Sequence, residues 1–242
     1  MKIATYNVRQ GGIKANKVHW ERIFEAVPEP DIFLVQETRH PEEYVPSAFY
    51  QTHHQQILWA PEQGKRWGSA LFVKSGTIKP LAVPDFPEGW IVGAEIQNFR
   101  WGEEQRPLKV FSLHAPAPYT RSVAKFLDFV ESQFTEDCDL VIGGDFNVTA
   151  GIHTGAERVW LVDEMRTRFG LISCWQMANP GQALAQTLRW GCNTQTVYHC
   201  DGIFVPACWY RWLDACEVFG LGEWLYMSDH NPVVAYFADR DR

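Results

Sequence analysis

A chain of 242 residues, 46% apolar and 14% aromatic, can bury a substantial core as one large α/β domain or two small ones. Its formal charge of −7 argues against a nonspecific nucleic-acid binder with a basic face, although a bound metal ion can reverse the field locally. The chain has no run of about 18 apolar residues, and its opening MKIATYNVRQGG lacks the apolar core of a signal peptide, so no membrane segment and a cytoplasmic location are expected.

In chain order, Lys2–Val8 reads as a first strand, followed by a Gly11-Gly12 turn and an amphipathic helix over about 17–27 that Pro28 and Pro30 stop. DIFLVQET (31–38) is a second core strand with Glu37 near its tip. Segments 55–60, 69–74, 78–83 and 90–97 suggest successive strands of an antiparallel meander, with 98–107 as a hairpin tip. LKVFSLHA (108–115) is a strand halted by Pro116 and Pro118, and Thr120 is placed to cap a helix over about 121–134 with its stripe Val123, Phe126, Leu127 and Val130.

LVIGGDFN (140–147) is the organising stretch. A buried strand runs through two glycines, which permit close approach, into Asp145 and Asn147, which share one face because alternate residues of an extended chain do. A helix near 157–169 and strands at 171–176, 187–190, 200–205, 215–221 and 232–237 complete the reading, with Ser228-Asp229-His230 in a loop. No linker, repeat or low-complexity tract divides the chain, so one domain is expected. The six cysteines match no short zinc spacing, although 192, 200, 208 and 216 recur every eight residues; reduced structural thiols are expected.

The strands run repeatedly into groups suited to phosphate chemistry: Asn7, Glu37, His114, Asp145 with Asn147, Asp201, and Asp229 with His230. Any one of these is an ordinary turn or core residue. Together they supply hard oxygen ligands suited to Mg²⁺ (Glu37, Asp229, Asn7) and two imidazoles able to move protons near neutral pH.

The motifs TYNVRQGG, LVQET, SLHAP, GGDFN, CDGIF and SDHNP, in that order, resemble the endonuclease/exonuclease/phosphatase superfamily, from Asn7 to Pro232. The resemblance implies a four-layer α/β/β/α sandwich of two mostly antiparallel sheets flanked by helices. It implies a Mg²⁺-dependent phosphoester hydrolase, with Mn²⁺ able to substitute. Glu37 would be the principal metal ligand, supported by Asn7 and Asp229. Asp145 would orient or deprotonate the attacking water, Asn147 would donate to phosphoryl oxygens, and His230, held by Asp201, would contact the phosphate or act as base. Which of Asp145 and His230 is the base stays open. His114 would bond the phosphate or help protonate the leaving oxygen. Asp145 and Asp201, near positive charge, are expected to remain ionised.

For substrate, a nuclease acting on DNA is favoured over RNA, with a phosphatase or phosphodiesterase acting on small molecules or lipid headgroups as the alternative. A non-catalytic descendant fits less well, because every polar position of the kit is filled. Arg9, Arg39 and Arg189 sit beside strand ends where flanking phosphates would lie. Of Trp67, Trp101, Trp190, Trp209 and Trp212, most are expected in the core, and Trp190 is the one placed to meet substrate.

Overall fold

In the computed structural model, which describes residues 1–11, 19–27, 30–45, 47–101, 106–135, 137–150 and 156–239, two six-stranded sheets pack face to face. The first sheet runs in the order β11 (Leu213–Val218), β12 (Val233–Phe237), β1 (Lys2–Asn7), β2 (Ile32–Arg39), β4 (Trp67–Val73), β3 (Ile57–Pro61). The second runs β5 (Thr77–Leu81), β6 (Ile91–Gln97), β7 (Leu108–His114), β8 (Asp139–Ala150), β10 (His199–Pro206), β9 (Leu171–Ser173). Among the described residues only β1–β2 and β7–β8 pair in parallel, and each of these pairs is joined by a helical crossover, α1 (His19–Ala26) or α4 (Tyr119–Gln133). The antiparallel majority and the helices on both outer faces are the sandwich that the resemblance implies.

Side-chain alternation builds the layers. Along β7, Leu108 and Val110 face the first sheet, while Phe111 and Leu113 face the helices. The expected stripe of α4 is buried there beside Leu161, Met165 and Phe169 of α5 (Ala156–Phe169). Trp20 and Ile23 of α1 cover the outer face of the first sheet, with Trp224 and Met227 of the short α7 (Trp224–Met227). A polar bridge crosses the sandwich below the strand ends. Gln36 of β2 donates to Ser112 of β7 at 3.0 Å and also meets Thr5 of β1 at 3.3 Å. Ser112 in turn donates to the Val35 carbonyl at 3.3 Å, so the register between the sheets is set by hydrogen bonds as well as by apolar packing.

Several expectations need correction. The four central strands form no single meander: β3 and β4 belong to the first sheet, and β5 and β6 to the second. The chain changes sheet at Ser75-Gly76, where Gly76 has φ of 96° and a Cβ would lie 2.7 Å from the Gln97 carbonyl oxygen. Segment 171–176 keeps only three strand residues before turning into α6 (Cys174–Ala178), whose Cys174, Trp175 and Ala178 pack on the inter-sheet core at helical spacing. Segment 187–190 is no ladder strand; Leu188 makes isolated bridges to Tyr198 and His230 before a tight turn at Trp190–Cys192, in which Gly191 has φ of 61°. Pro118, not Thr120, precedes the first turn of α4, and Thr120 Oγ1 donates instead to Glu157 at 3.1 Å.

Trp101, expected on a hairpin tip, is buried with Trp209 and half-buried Trp212, because its indole finds the Ala238 carbonyl at 3.3 Å. Residues 102–105 of that tip, Gly12, the predicted helix start at 17–18, Pro28 and the side chain of Cys192 lie outside the described residues. Cys138, Cys174, Cys200, Cys208 and Cys216 are free thiols. No described helix is long and apolar enough to cross a membrane.

Candidate active site

Strand register assembles the site. His114 lies opposite Asp145 in the parallel β7–β8 pair, and Asp145 lies opposite Asp201 in the antiparallel β8–β10 pair, so three functional groups stand in a row across neighbouring strands. Gly144, just before Asp145, has φ of 142°, and a Cβ there would lie 2.0 Å from the Leu113 carbonyl oxygen. The glycines of LVIGGDFN therefore admit a neighbouring backbone at this point.

The first sheet contributes from the opposite wall. Asn7 ends β1, and Glu37 sits where β2 bulges against β4 between Val35 and Thr38, with φ of 51°. That left-handed backbone costs a non-glycine residue roughly 1 kcal/mol. It re-aims Glu37 toward the second sheet, as a bulge does.

Asn7 joins the walls: its amide donates to Glu37 Oε1 at 3.1 Å and to Asp145 Oδ2 at 3.0 Å, and its Oδ1 accepts from the Arg9 backbone at 2.9 Å. His230 Nδ1 faces both oxygens of Asp201 at 3.1 and 3.0 Å, leaving Nε2 3.6 Å from Asp145 Oδ2. His114 Nε2 lies 3.6 Å from Glu37 and 3.9 Å from Asp145. Asn147 takes φ of 51°; its backbone donates to Asp145 Oδ1 at 3.0 Å, and its amide donates to the Ala115 carbonyl at 3.2 Å. Asp229 pairs with Arg9 at 3.3 Å. All the metal and catalytic positions expected from the sequence converge here.

All of these except the buried Asn7 and Asp201 line a cleft of about 320 Å³, with Asp201 behind His230; Gln10, Trp90, Ala115, Ala117, Tyr119, Leu188 and Trp190 complete the lining. Burial dominates the electrostatics. It pushes the carboxyls of Glu37 and Asp145 up, opposed by the Asn7 amide and the His230 charge at Glu37, and chiefly by His230 at Asp145. For Asp145 the net displacement is upward, which nearby positive charge alone did not lead one to expect. Burial also pushes His114 down. At His230 burial works the same way, but the Asp201 and Asp145 carboxylates overcome it and raise the imidazole to about 10.

The substrate-contact expectations divide. Arg9 and Trp190 line the cleft, and Trp190 is 66% exposed. Arg39 ends β2 opposite Trp67 and is not among the cleft-lining residues. Arg189 is a correction: it is buried, and its guanidinium donates to the Asn231 side chain and to the backbone carbonyls of Trp224, Ser228 and His230. It secures the loop that carries Asp229 and His230 and is turned away from any substrate phosphate.

Sequence reasoning missed four supporting residues. Trp90 stacks on His114 with ring centroids 4.6 Å apart and an interplanar angle of 24°. Ser228 donates to the Asn7 carbonyl at 2.8 Å and accepts from the His230 backbone at 3.1 Å. The Thr187 hydroxyl accepts from the backbones of Cys200 and Asp201 at 3.0 and 3.1 Å. Tyr119, 42% exposed, stands on the rim. Only Ser228, inside SDHNP, carried a signal in the motif.

Behind the site, His199 is buried with Nδ1 on the Ala185 carbonyl at 2.7 Å; burial, and then the Arg158 cation, hold it down at about 3. An unfolded histidine titrates near 6.5. The neutral native form therefore contributes its full stability above about pH 6.5, and this is lost as pH falls toward 3. By pH 5 the loss amounts to about 2 kcal/mol. The expected result is that His199→Leu removes much of the fall in thermal midpoint between pH 7 and pH 5; an unchanged fall would assign the acid sensitivity to other groups.

Carboxylates and imidazoles gathered at one end of a double-sheet sandwich are the arrangement that the motif resemblance implies for a phosphoester hydrolase. The match is explicit: residues 4–230 fit the model of the Endonuclease/Exonuclease/phosphatase family, and the chain belongs to that family. No curated protein sequence matches the chain. Among solved structures it is similar to a 3'-5' exonuclease (NExo) from Neisseria meningitidis, with a TM-score of 0.67 and 20% identity over 98% of this chain and 99% of that one. It is also similar to an AP endonuclease from Archaeoglobus fulgidus, with a TM-score of 0.69 and 17% identity over 98% and 99%. A 3' phosphatase NExo from Neisseria bound to a product DNA hairpin gives 0.68 and 19%, again over 98% and 99%.

Proposed function

We propose that this chain is a single-domain, Mg²⁺-dependent nuclease that hydrolyses phosphodiester bonds of DNA by in-line attack of water. One observation carries the reading. Glu37, Asn7, Asp145, His230 and Asp201 form a continuous chain of contacts across the two sheets, with His114 beside it, in a cleft open to a phosphodiester. Neighbours in fold include an exonuclease, AP endonucleases and a phosphatase caught with a DNA product, which supports DNA as the substrate class.

The carboxylate oxygens of Glu37 and Asp229, with the side-chain Oδ1 of Asn7, suit a hard divalent cation. Burial pushes Glu37 up, which marks a carboxyl short of positive charge. Mg²⁺, or Mn²⁺ in its place, would be held there and would neutralise charge on the nonbridging oxygens. With His230 raised to about 10, its imidazole is a cation near neutral pH and serves better as a phosphate contact than as a base. The proton of the attacking water then goes to Asp145, whose Oδ1 is fixed by the Asn147 backbone. The Asn147 amide would donate to a phosphoryl oxygen, and His114, which lines the cleft and is held neutral by burial, would hydrogen-bond the phosphate. Asp201 keeps the His230 ring oriented. Arg9 and the exposed indole of Trp190 flank the cleft and would meet a neighbouring phosphate and base.

The test is hydrolysis of plasmid DNA, single-stranded DNA, RNA, an abasic duplex, a bis-aryl phosphodiester and an inositol polyphosphate in Mg²⁺ or Mn²⁺. Cleavage of DNA at a rate well above that of the small esters is the expected outcome. Turnover confined to the small esters would move the chain to the phosphatase side of its family.

A further inference from the structure

Cys200 has no part in the hydrolysis described above, yet it sits beside three groups that do. Asp145, Cys200, Asp201 and His230 each present a ligand atom, and these atoms all lie within 4.8 Å of one another. All four residues are buried, and Cys200 Sγ is 3.6 Å from Asp201 Oδ2. Thr187 fixes the strand that carries two of them, through its hydroxyl on the backbones of Cys200 and Asp201. Outer contacts of this kind orient ligands in metal centres.

A thiol, an imidazole and two carboxylates make a four-ligand set of the kind that closes around zinc. Glu37, Asp229 and Asn7 offer only oxygen and suit magnesium. Ligand softness therefore divides one cluster into two sites that meet near Asp145. Asp145 and His230 line the cleft, and the buried Cys200 and Asp201 lie behind them, so the cleft is the side from which an ion would approach.

We propose that Asp145, Cys200, Asp201 and His230 form an inhibitory site for a thiophilic divalent cation such as Zn²⁺ or Cd²⁺, an inference whose inhibitory half rests on the hydrolytic reading above. Binding forms a metal–sulfur bond at Cys200 and a metal–nitrogen bond at His230, and the displaced thiol and imidazole protons leave to solvent; no electrons are transferred. The ion takes Asp145 out of the path of the attacking water and separates His230 from Asp201. Mg²⁺, a poor ligand partner for sulfur, cannot displace it by mass action at the oxygen site.

The experiment uses the full chain. Zn²⁺ and Cd²⁺ are titrated against DNA cleavage at saturating Mg²⁺ for wild type, Cys200→Ala and Cys200→Ser, with each protein normalised to its own rate in Mg²⁺ alone. In parallel, without substrate, Cd²⁺ is added and the ultraviolet thiolate-to-metal charge-transfer band is recorded. Excess Mg²⁺ should leave wild-type inhibition in place. The half-inhibiting concentration should rise roughly tenfold or more in Cys200→Ala. The wild-type band should lose its Cys200 component in both variants. Equal inhibition of all three proteins, or a band unchanged in Cys200→Ala, would overturn the proposal. The band needs no turnover, so it decides metal binding even if no substrate is cleaved, and thermal melts of both variants separate a lost ligand from a lost fold.

Discussion

Asp145→Asn is expected to reduce DNA cleavage by roughly a thousandfold while leaving the fold as stable as the wild type or more so. Asp145 is fully buried, and burial pushes its carboxyl up, so the charged form costs folding free energy that an amide would not. The substituted amide can still turn its oxygen to the Asn7 donor, which preserves the 3.0 Å contact across the sheets; the bond from the Asn147 backbone is given up, a cost of about 1 kcal/mol that removal of the buried charge offsets. What it cannot do is accept the proton of an attacking water. Measured together, turnover and thermal midpoint should therefore move apart. If both fell, Asp145 would be holding the sheets together instead of acting on water.

Arg189→Met is expected to have the largest effect on stability, on the order of 3–5 kcal/mol. The guanidinium donates to Asn231, Trp224, Ser228 and His230, and removing it leaves buried carbonyl oxygens without that donor. The loop it anchors carries Asp229 and His230, while Ser228 ties the same loop to Asn7. Activity should fall as well, through a displaced His230 and not through lost phosphate contact, so KM for DNA should change much less than kcat. A denaturant midpoint equal to wild type, with a raised KM and an intact kcat, would return Arg189 to the substrate surface.

Arg189 also marks the limit of what is legible in a sequence. Its residue type and its place beside a strand end read as a phosphate contact, yet the backbone turns it inward against carbonyls that are distant in the chain. Glu37 is the opposite case. Its type was legible at the tip of an apolar strand, and the structure puts it in the site, but alternation alone cannot show that a bulge with positive φ is needed to aim it there. His114 and Asp145 were legible because each follows an apolar run and Asp201 because it precedes one, and pairing of those strands in register brings them side by side.

The split of the central strands between two sheets was not legible, because local periodicity says where strands are and not which sheet accepts them. Trp90 was hidden for a similar reason. It reads as the first residue of an ordinary strand, and only the packing of β6 on β7 brings its ring over His114. The bridge from Gln36 to Ser112 needs the full face-to-face stacking before either residue gains a role.

Hydrolysis of DNA by these residues requires both Asp145 and a hard divalent cation in the proposed function. The most direct measurement follows cleavage of an end-labelled DNA by wild type and by Asp145→Asn in Mg²⁺, then in excess EDTA, then after Mg²⁺ is restored. The account predicts cleavage by wild type that stops with EDTA and returns with Mg²⁺, and almost none by the variant under any condition. Cleavage that persists in EDTA, or that Asp145→Asn leaves unchanged, would contradict it.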